Sequence, residues 1–449
     1  MPTSPLKLDS PPEAGSPLVV NASFLTVSLP RPPRKFYRHG WQSWSLAAWT
    51  EPTPLPVQRP AILHPLQTDP RYVNETSPHS SWVGAVELDE NDILLIGALG
   101  LESHVRLSSK SSNSQLEGRY ERGDGEWLIA RGSEEFVFAK YAEELSNRFG
   151  KRLDKPAPRV WCSWYSLYTA IDESILFRTF DELGDLPFDV LQVDDGWQTS
   201  IGDWDVNGKF PSGMNALAEK IKSTGRKAGL WLAPLIAVES SRLFREHPDW
   251  FLRDENGKFV SAGFNWGEQL YALDTTHPAV TEWLSALMKQ VRAWGFDYLK
   301  LDFLYAGALP GKRFADIQRE AAYRQALKTM REAMGHDAYF LACGAPILPS
   351  LGLCDALRIG PDVSDKWEDP RDATLLYNFT TPGARNAIRT TVSRLWLQSL
   401  VAVDPDVVYF SGKENSLSAE HKQLLQDLAA ICNFKATSDL LQWMTPAER

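Results

Sequence analysis

Residues 297–313 read DYLKLDFLYAGALPGKR, and their pattern is that of a buried strand that carries charge. Tyr298, Leu299 and Leu301 belong to a mostly apolar run, yet Lys300 and Asp302 lie inside it. Side chains two apart on a strand point to the same side, so a cation and an anion share one face. Because buried charge is costly unless it is paired or used, the segment predicts either a structural ion pair or a catalytic pair.

Short apolar runs on both sides of this segment alternate with longer amphipathic stretches, for instance Pro278–Trp294 and Phe314–Met334. Strands that alternate with helices in this way predict an α/β fold of the (β/α)8 TIM-barrel type. A doubly wound open sheet is the alternative, but the Gly-rich phosphate turn typical of that fold does not follow the first run. The eight predicted strands are VWCSWYS from Val160, VLQVDDGW from Val190, AGLWLAP from Ala228, LYALD ending at Asp274, YLKLDFL from Tyr298, YFLACG from Tyr339, ALRIG from Ala356 and VVYFSG from Val407.

The chain before this region has a different texture. Residues 1–150 are predicted to form a β-rich domain, because runs such as SSWVGAVEL, ILLIGAL and EEFVFAKYA are separated by clusters of Gly, Asn, Asp and Ser. Residues 151–159, KRLDKPAPR, contain two prolines and mixed charge and are predicted to be a linker. Residues 160–449 then form the barrel, with a last helix predicted at Ser418–Cys432 and no third domain expected.

The composition argues against several classes of protein. A net charge of −10 and a pI of about 5.4 argue against a nucleic-acid partner. No apolar run is long enough to span a bilayer, and the first residues, MPTSPLKLDSPPEAGSPLVV, lack a secretory signal pattern, so a cytoplasmic protein is expected. The four cysteines show no metal-ligand spacing, and neither a metal ion nor a cofactor is predicted.

Polar residues close five of the predicted strands. In a TIM barrel the active site lies at the carboxyl ends of the strands. A lone acidic residue at such a place is more often a helix cap, but the convergence of several polar side chains on one rim favours a catalytic site over structural ion pairs. These residues are Asp194 and Asp195 with Trp197, then Trp231, then Lys300 and Asp302, then Cys343, and finally Arg358 running into Asp362.

Separate carboxylates without metal ligands suggest acid–base or nucleophilic chemistry on a neutral substrate. The 17 Trp suggest a sugar, because a flat apolar ring with one N–H donor suits sugar rings. Glycoside hydrolysis uses two carboxylates, which stand roughly 5–5.5 Å apart in retaining enzymes. Lys300, on the strand face of Asp302, is expected to keep that carboxylate ionised for nucleophilic attack. Asp362 follows Gly360 and Pro361 on a loop that can lean over a leaving group.

The motifs together resemble those of the α-galactosidases of glycoside hydrolase family 36, the melibiases. The resemblance rests on YLKLDFLYAGALPGKR with ALRIGPDV, supported by GWQSWS, WCSWYSLY, VDDGWQ, GLWLAP and ACGAP, and it runs from about Phe36 to about Leu428. Each motif alone is weak, whereas their combination and order are specific. The resemblance implies a retaining α-glycosidase on a (β/α)8 barrel preceded by a smaller N-terminal β-sandwich, without metal or cofactor. The C-terminal β-domain usual in the family is expected to be absent.

The resemblance also implies a role for each residue. Asp302 falls on the nucleophile and Asp362 on the acid/base. Asp194 and Asp195 fall on the pair that holds the O4 and O6 hydroxyls of galactose. The remaining positions are Lys300 and Arg358 as hydroxyl-binding cations, and Trp231, Trp164 and Cys343 as the pocket wall. Lys300 is also expected to pair electrostatically with Asp302.

Two questions stay open at this point. In HGWQSWS, Trp41 or Trp44 either closes the sugar pocket or fills an interface between domains. The expected substrates are oligosaccharides with terminal α-galactose. The alternatives are a raffinose-synthase-like galactosyl transferase, an α-N-acetylgalactosaminidase, and a sugar-binding barrel without activity. The oligomeric state is not predicted.

Overall fold

The computed structural model describes residues 5–53, 68–110, 113–368 and 380–449. Two sheets are built from the first part of the chain, and a large parallel sheet with helices from the rest. The strands are β1 (Leu6–Leu8), β2 (Leu18–Ala22), β3 (Phe24–Ser28), β4 (Lys35–His39), β5 (Ala47–Thr50), β6 (His79–Ser81), β7 (Val83–Asp89), β8 (Asp92–Ala98), β9 (Ser103–Lys110), β10 (Asn113–Tyr120), β11 (Gly125–Gly132), β12 (Arg159–Cys162), β13 (Val190–Val193), β14 (Gln198–Ser200), β15 (Asp203–Val206), β16 (Lys227–Leu232), β17 (Ile236–Val238), β18 (Ser261–Asn265), β19 (Glu268–Ala272), β20 (Tyr298–Leu301), β21 (Tyr339–Ala342), β22 (Ala356–Arg358), β23 (Ala402–Asp404), β24 (Val407–Val408) and β25 (Lys435–Thr437).

The helices lie mostly between the later strands. The α-helices are α1 (Glu134–Phe149), α2 (Trp164–Leu167), α3 (Glu173–Glu182), α4 (Gly213–Ser223), α5 (Arg242–Glu246), α6 (Pro278–Trp294), α7 (Arg319–Met334), α8 (Ile347–Ser350), α9 (Ala384–Val392) and α10 (Ala419–Cys432). Short 3-10 helices lie at Pro248–Trp250, Leu304–Ala308, Leu395–Ser399 and Leu441–Trp443.

The first two sheets share a hydrophobic core. Their strand orders are β1-β3-β10-β9-β6 and β2-β11-β8-β7-β4-β5. Along β8, Leu94 and Ile96 point into the core between these sheets, whereas Ile93 and Leu95 point into the main core that also contains the parallel sheet. This period-two alternation buries the second sheet on both faces and fixes it against the remainder of the chain.

The run EEFVFAKYA, predicted to belong to the β-rich pattern, is instead the start of α1. The Ser133 side chain accepts a hydrogen bond from the backbone N–H of Phe136 and caps the helix, and Glu134 and Glu135 favour its positive end. The buried residues of α1 recur at helical spacing (Val137, Phe138, Tyr141, Ala142 and Leu145). The prediction was wrong because a nine-residue window showed the alternation but not this longer period.

The parallel sheet has nine strands in the order β23-β22-β21-β20-β16-β13-β12-β25-β24. Its two edge strands, β23 and β24, are separated in the chain only by residues 405 and 406. A sheet whose opposite edges are joined so closely must curve round, and the arrangement is that of a TIM-like barrel. The helix predicted at Pro278–Trp294 is confirmed at both ends by α6, while the one predicted from Phe314 begins at Arg319.

One predicted strand does not belong to the parallel sheet. The segment ending at Asp274 contributes β19, which pairs antiparallel with β17 and β18 in a small separate sheet. The strands β16 and β20 on either side of it in the chain pair directly with each other, and β25, a three-residue strand that no pattern indicated, lies between β12 and β24. Such short strands are too brief to show any periodicity. No helix in the described ranges is both long and apolar enough to span a membrane.

Candidate active site

Five neighbouring strands carry predicted polar residues at one edge of the parallel sheet. Strands β13, β16, β20, β21 and β22 are adjacent in that order and run parallel. Their carboxyl ends therefore meet on the same side. Asp194 and Asp195 follow β13, Trp231 lies near the end of β16, Lys300 and Asp302 lie in and after β20, Cys343 follows β21, and Arg358 ends β22.

Asp302 is held in one orientation by two donors. The indole N–H of Trp231 donates to Oδ2 at 3.0 Å, and the backbone N–H of Phe303 donates to Oδ1 at 2.8 Å. Phe303 has a φ of 53°, an uncommon value for a bulky residue that is found most often at functional sites. Gly344, which is also at positive φ, lies against this backbone. A Cβ at this position would come within 3.2 Å of the Phe303 backbone and of the Trp44 ring, so a larger residue would be crowded there. Asp302 is thus fixed by the backbone of Phe303 and by the side chain of Trp231 from β16, the adjacent strand in the sheet.

Lys300 forms its ion pair with Asp194 rather than with Asp302. Its Nζ lies 3.0 Å from Asp194 Oδ2, and both side chains are buried. The expected electrostatic interaction with Asp302 is present, since the charge of Asp302 acts to raise the pKa of Lys300, but the ion-pair contact is with Asp194, which the long lysine side chain reaches past β16 at the end of β13. Burial alone would lower the pKa of Lys300, but the nearby Asp194, Cys162 and Asp302 raise it well above its ordinary value. Lys300 therefore stays charged between two carboxylates.

Asp195 is bound by a tryptophan that the sequence did not suggest. The indole N–H of Trp266 donates to Asp195 Oδ2 at 2.7 Å, and the Gln198 amide donates to Oδ1 at 2.5 Å. Burial raises the pKa of Asp195, while these two hydrogen bonds act against the increase. Trp266 and Gly267 form the two-residue turn between β18 and β19, both at positive φ, which is the geometry of a tight hairpin turn. The hairpin carries the Trp266 ring to within 5.2 Å of the Phe303 ring.

A buried guanidinium organises the other side of the site. Arg358 contacts three carboxylates: Nη1 with Asp362 Oδ1 at 2.9 Å, Nε with Asp404 Oδ2 at 2.8 Å, and Nη2 with Asp406 Oδ1 at 2.8 Å. Asp404 and Asp406 are 1% exposed, whereas the Asp362 side chain keeps 35% of its exposure. Burial and the neighbouring Asp406 raise the pKa of Asp362 to about 7, against the effect of Arg358. The pKa of Asp362 thus lies well above that of an ordinary aspartate.

Asp404 and Asp406 were missed by the strand-end reasoning. They lie in VDPDVV, where Asp404 is the last residue of β23 and Asp406 directly precedes β24, and the sequence pattern placed the strand only from Val407. The signal that could have found them is a pair of acidic residues on either side of Pro405, directly after an apolar run. Trp266 had a comparable signal in NWG, a turn-forming sequence between two strand-like runs.

Comparison with known proteins bears on this arrangement. The Melibiase family model matches residues 137–334. The solved α-galactosidase TtGalA from Thermus thermophilus is 47% identical over 97% of this chain and 88% of its own, with a TM-score of 0.88. This chain belongs to the melibiase family. The resemblance inferred from the motifs is confirmed.

Other members of the melibiase family align over less of their length. α-Galactosidase AgaA from Geobacillus stearothermophilus is 28% identical over 193 residues, which are 40% of this chain and 25% of AgaA. The crystal structure of AgaA covers 94% of this chain with 60% of its own length, at 17% identity and a TM-score of 0.64, and so shares the fold. The aligned segments therefore span about a quarter of the curated relative.

Trp41 and Trp44 differ in what they touch. Trp41 is 1% exposed, with its ring 6.2 Å from the ring of Tyr305 and the Arg319 guanidinium 5.6 Å above it. Trp44 is partly exposed, and its ring packs edge-on against Phe303 at 5.2 Å. Trp41 therefore fills the interface with the segment after β20, and Trp44 lies next to the residue that follows Asp302.

The segment Gly40–Ser45, here called the bridging loop, joins the first part of the chain to the site of this melibiase-family protein. Ser43 and Ala345 form two hydrogen bonds of 3.0 Å, from the Ser43 N–H to the Ala345 carbonyl and from the Ala345 N–H to Ser43 Oγ. The buried Arg394 donates to the carbonyls of Gly40, Gln42, Ser43 and Ile359 at 2.7–3.1 Å. The loop is thus fastened both beside Cys343 and beside Arg358.

The two remaining predicted wall residues are less closely engaged. Cys343 is buried, and burial together with the charge of Asp302 raises the pKa of its thiol well above the ordinary value, so the thiol stays protonated. Trp164 is partly buried in α2, directly after β12, and its ring contacts the half-exposed Tyr168 edge-on at 5.1 Å. In the described parts of the chain, no three His, Cys, Asp or Glu side chains are grouped so as to hold a metal ion.

Proposed function

We propose that this protein is a retaining α-galactosidase that hydrolyses terminal α-galactosyl residues of oligosaccharides. The observation that carries the proposal is the contrast between two carboxyl groups at one end of the barrel. Asp302 is fixed by two N–H donors, and Asp362 has a pKa raised to about 7. Two carboxyl groups in such different environments are suited to different roles, one as the nucleophile and the other as the acid.

The substrate class is supported by the relative from Thermus thermophilus. That α-galactosidase was solved in complex with p-nitrophenyl α-D-galactopyranoside and with stachyose.

In the first step, Asp302 attacks the anomeric carbon of galactose. As the new C1–Oδ bond forms, the C1–O bond to the leaving group breaks, and Asp362 transfers its proton to the departing oxygen. A covalent galactosyl–enzyme and an ionised Asp362 result. The charge of Asp302 is among the causes that raise the pKa of Asp362, so the proton is present when the nucleophile is ionised.

In the second step, the ionised Asp362 takes a proton from a water molecule, whose oxygen attacks C1 as the C1–Oδ bond breaks. Two inversions return the α-configuration. Asp194 and Asp195 accept hydrogen bonds from the O4 and O6 hydroxyls, and Lys300 donates one. The Trp266 and Trp231 rings, 6.2 Å apart, contribute the apolar wall.

We also infer the architecture in finer detail. The parallel sheet is a (β/α)8 barrel in which β23 and β24 are the two halves of one strand that is interrupted at Pro405. Residues 1–150 form an N-terminal domain of β-sandwich type, residues 151–159 the linker, and residues 160–449 the catalytic barrel. This division is tested by limited proteolysis, which is expected to release a stable fragment starting near residue 151.

The mechanism is tested by the stereochemistry of the first product. Proton NMR of a fresh digest is expected to show the α-anomer of galactose before mutarotation. Asp302→Ala is expected to abolish activity, whereas Asp362→Ala is expected to spare substrates whose leaving group needs no proton. Appearance of the β-anomer first contradicts both roles together.

The sugar is tested by a panel of p-nitrophenyl α-glycosides. The glucoside leaves a desolvated carboxylate without its hydroxyl partner, which lowers kcat/KM for that substrate by as much as about 10⁴–10⁵-fold. The galactoside is therefore expected to be strongly preferred over the glucoside. Asp194→Asn is expected to lower kcat/KM for the galactoside far more than for the glucoside. Equal wild-type rates on both sugars contradict the assignment. Preference for the 2-acetamido sugar identifies an α-N-acetylgalactosaminidase, and oligosaccharide synthesis with an added acceptor identifies a transferase.

A further inference from the structure

Asp406 has every feature of a side chain that acts on another residue rather than on a substrate. Its Oδ2 accepts hydrogen bonds from the hydroxyl of Tyr165 and from the backbone N–H of Val363 at 2.9 Å. Its Oδ1 accepts the N–H of Val407 at 2.8 Å and lies 2.8 Å from Arg358 Nη2. Both oxygens of Asp406 are thus engaged by donors on neighbouring residues, and Asp406 is 1% exposed.

Two of these contacts converge on Asp362. Val363 is the residue directly after Asp362, so the hydrogen bond to its N–H holds the backbone of the acid in place. Arg358 is the cation that donates to Asp362 Oδ1, so the contact with Asp406 occupies a second nitrogen of the same guanidinium. Asp406 thus acts on Asp362 in two ways, through the backbone of Val363 and through the side chain of Arg358.

The charge of Arg358 explains why Asp362 needs further acidic residues nearby. A guanidinium within hydrogen-bond distance favours the ionised form of a carboxyl group and lowers its pKa, typically by 1–3 units. Arg358 alone would therefore make Asp362 a poor acid at neutral pH. Asp404 and Asp406 contact the same guanidinium through Nε and Nη2, so Arg358 is shared among three carboxyl groups and its effect on Asp362 is weakened.

The other charged and titratable groups near Asp362 come from several elements. Lys300 from β20 acts to lower the pKa of Asp362, Asp302 after the same strand acts to raise it, and the latter is the weaker of the two effects. Tyr165 and Cys343, which are both close enough to feel the charge of Asp362, are held protonated by burial. Burial comes first among the causes for Asp362 itself, and Asp406 is the strongest charged neighbour.

We propose that Asp406 is a positioning residue that keeps Asp362 in its proton-donating form, and that Asp404 shares this task by neutralising Arg358. The proposal rests on the role of Asp362 as the general acid of the proposed function. Asp404 and Asp406 both belong to the segment VDPDVV. This segment, which lies on the opposite side of Arg358 from Asp362, thus controls whether Asp362 holds the proton that it transfers.

The test compares pH profiles for two substrates of Asp406→Asn, which keeps the size of the side chain but removes its charge. The first substrate is raffinose, whose leaving group needs a proton, and the second is α-galactosyl fluoride, whose leaving group does not. For raffinose, the basic limb of kcat/KM is expected to move to lower pH by about one unit, because loss of a neighbouring negative charge lowers the pKa of Asp362. Above that limb kcat/KM falls about tenfold, and near pH 5 it is unchanged. With the fluoride the loss is expected to stay within about twofold at every pH.

Asp439→Asn is the matched control. Asp439 is also buried, and it accepts the backbone N–H groups of Phe410 and Ser411 at 2.6 and 2.9 Å, but it makes no contact with Arg358. Its replacement is expected to lower the melting temperature without moving the basic limb. Should Asp406→Asn fail to fold, Asp404→Asn removes the other charge from Arg358 and is expected to shift the limb in the same direction.

The outcomes separate this inference from the proposed function. If Asp362→Asn abolishes the basic limb and neither Asp406→Asn nor Asp404→Asn moves it, the positioning role is refuted while Asp362 remains the acid. An equal loss on both substrates at all pH values, or a shift of the same size in Asp439→Asn, also overturns the positioning role. If Asp362→Asn keeps the wild-type limb for raffinose, the acid assignment of the proposed function fails first.

Discussion

Trp266 offers a direct test of how the site holds Asp195. Trp266→Phe removes the indole N–H that donates to Asp195 Oδ2 at 2.7 Å, while the six-membered ring that faces Phe303 is kept. A hydrogen bond to a charged group contributes about 1.5–3 kcal/mol, and 1.36 kcal/mol corresponds to a tenfold change in rate. Because Asp195 is 2% exposed, water does not readily replace the lost donor. We expect kcat/KM for p-nitrophenyl α-galactoside to fall by about tenfold to a hundredfold.

The loss is expected to depend on pH. The indole N–H lowers the pKa of Asp195, whose burial raises it, so removal of this donor raises the pKa further. Asp195 then takes up a proton at a higher pH than in the wild type, and the acidic limb of kcat/KM moves upward. The decrease in kcat/KM is therefore larger near pH 5 than near pH 7.

The assay is the pH profile of kcat/KM together with the melting temperature. Trp49→Phe is the matched control, since Trp49 donates its indole N–H to Glu134 Oε1 at 2.9 Å in the first part of the chain. That replacement removes the same kind of hydrogen bond and is expected to leave kcat/KM unchanged. A decrease that is uniform over pH, or one that is equal in the control, refutes the reasoning.

The remaining predictions concern the interface and stability. Trp44→Ala is expected to lower kcat/KM by about tenfold with little change in melting temperature, because its ring touches Phe303, whereas Trp41→Ala in the buried interface is expected to lower the free energy of unfolding by about 3–5 kcal/mol, as measured in urea. The opposite assignment of the two effects contradicts the contacts. Burial raises the pKa of Glu320 to about 7 from an ordinary 4.5, so the folded state binds more protons and stability is lost as pH rises from about 4.5 to 7. Glu320→Gln is expected to flatten this decrease, which amounts to about 3 kcal/mol at most, and the exposed Glu332→Gln on the same helix is expected to leave it unchanged; an unaltered slope in Glu320→Gln contradicts the assignment.

The sequence predicts those parts of the site that are local. Asp194, Asp302 and Arg358 were found because a polar residue that follows a short apolar run marks the end of a buried strand. The partner of Lys300 was not found, since its contact with Asp194 depends on which strands become neighbours, and that is decided over 106 residues of chain.

Other features escaped for different physical reasons. β23, β24 and β25 have two or three residues each and leave no periodicity, so Asp404 at the end of β23 and Asp406 just before β24 were not recognised as strand-end residues. Trp266 lies at a positive φ, a conformation that propensities do not favour for tryptophan, and the turn sequence NWG is the signal that could have found it. The helix α1 was taken for a strand because its capping residue and its full period lay outside the short window.

The bridging loop has a consequence for the order of events during synthesis. Ser43 is made early, but its partner Ala345 follows 302 residues later and Arg394 follows 351 residues later. At roughly 5–20 residues per second, the loop waits on the order of 15–60 s for Ala345 to be made. Contacts between such distant residues are slow to form, since the loop-closure entropy comes before any stabilisation. Until then the polar groups of the loop are exposed to water, and the segments that carry Asp194 and Asp302 lack the bridging loop beside them. Activity therefore becomes measurable only when the last third of the chain has folded back onto the first fifty residues.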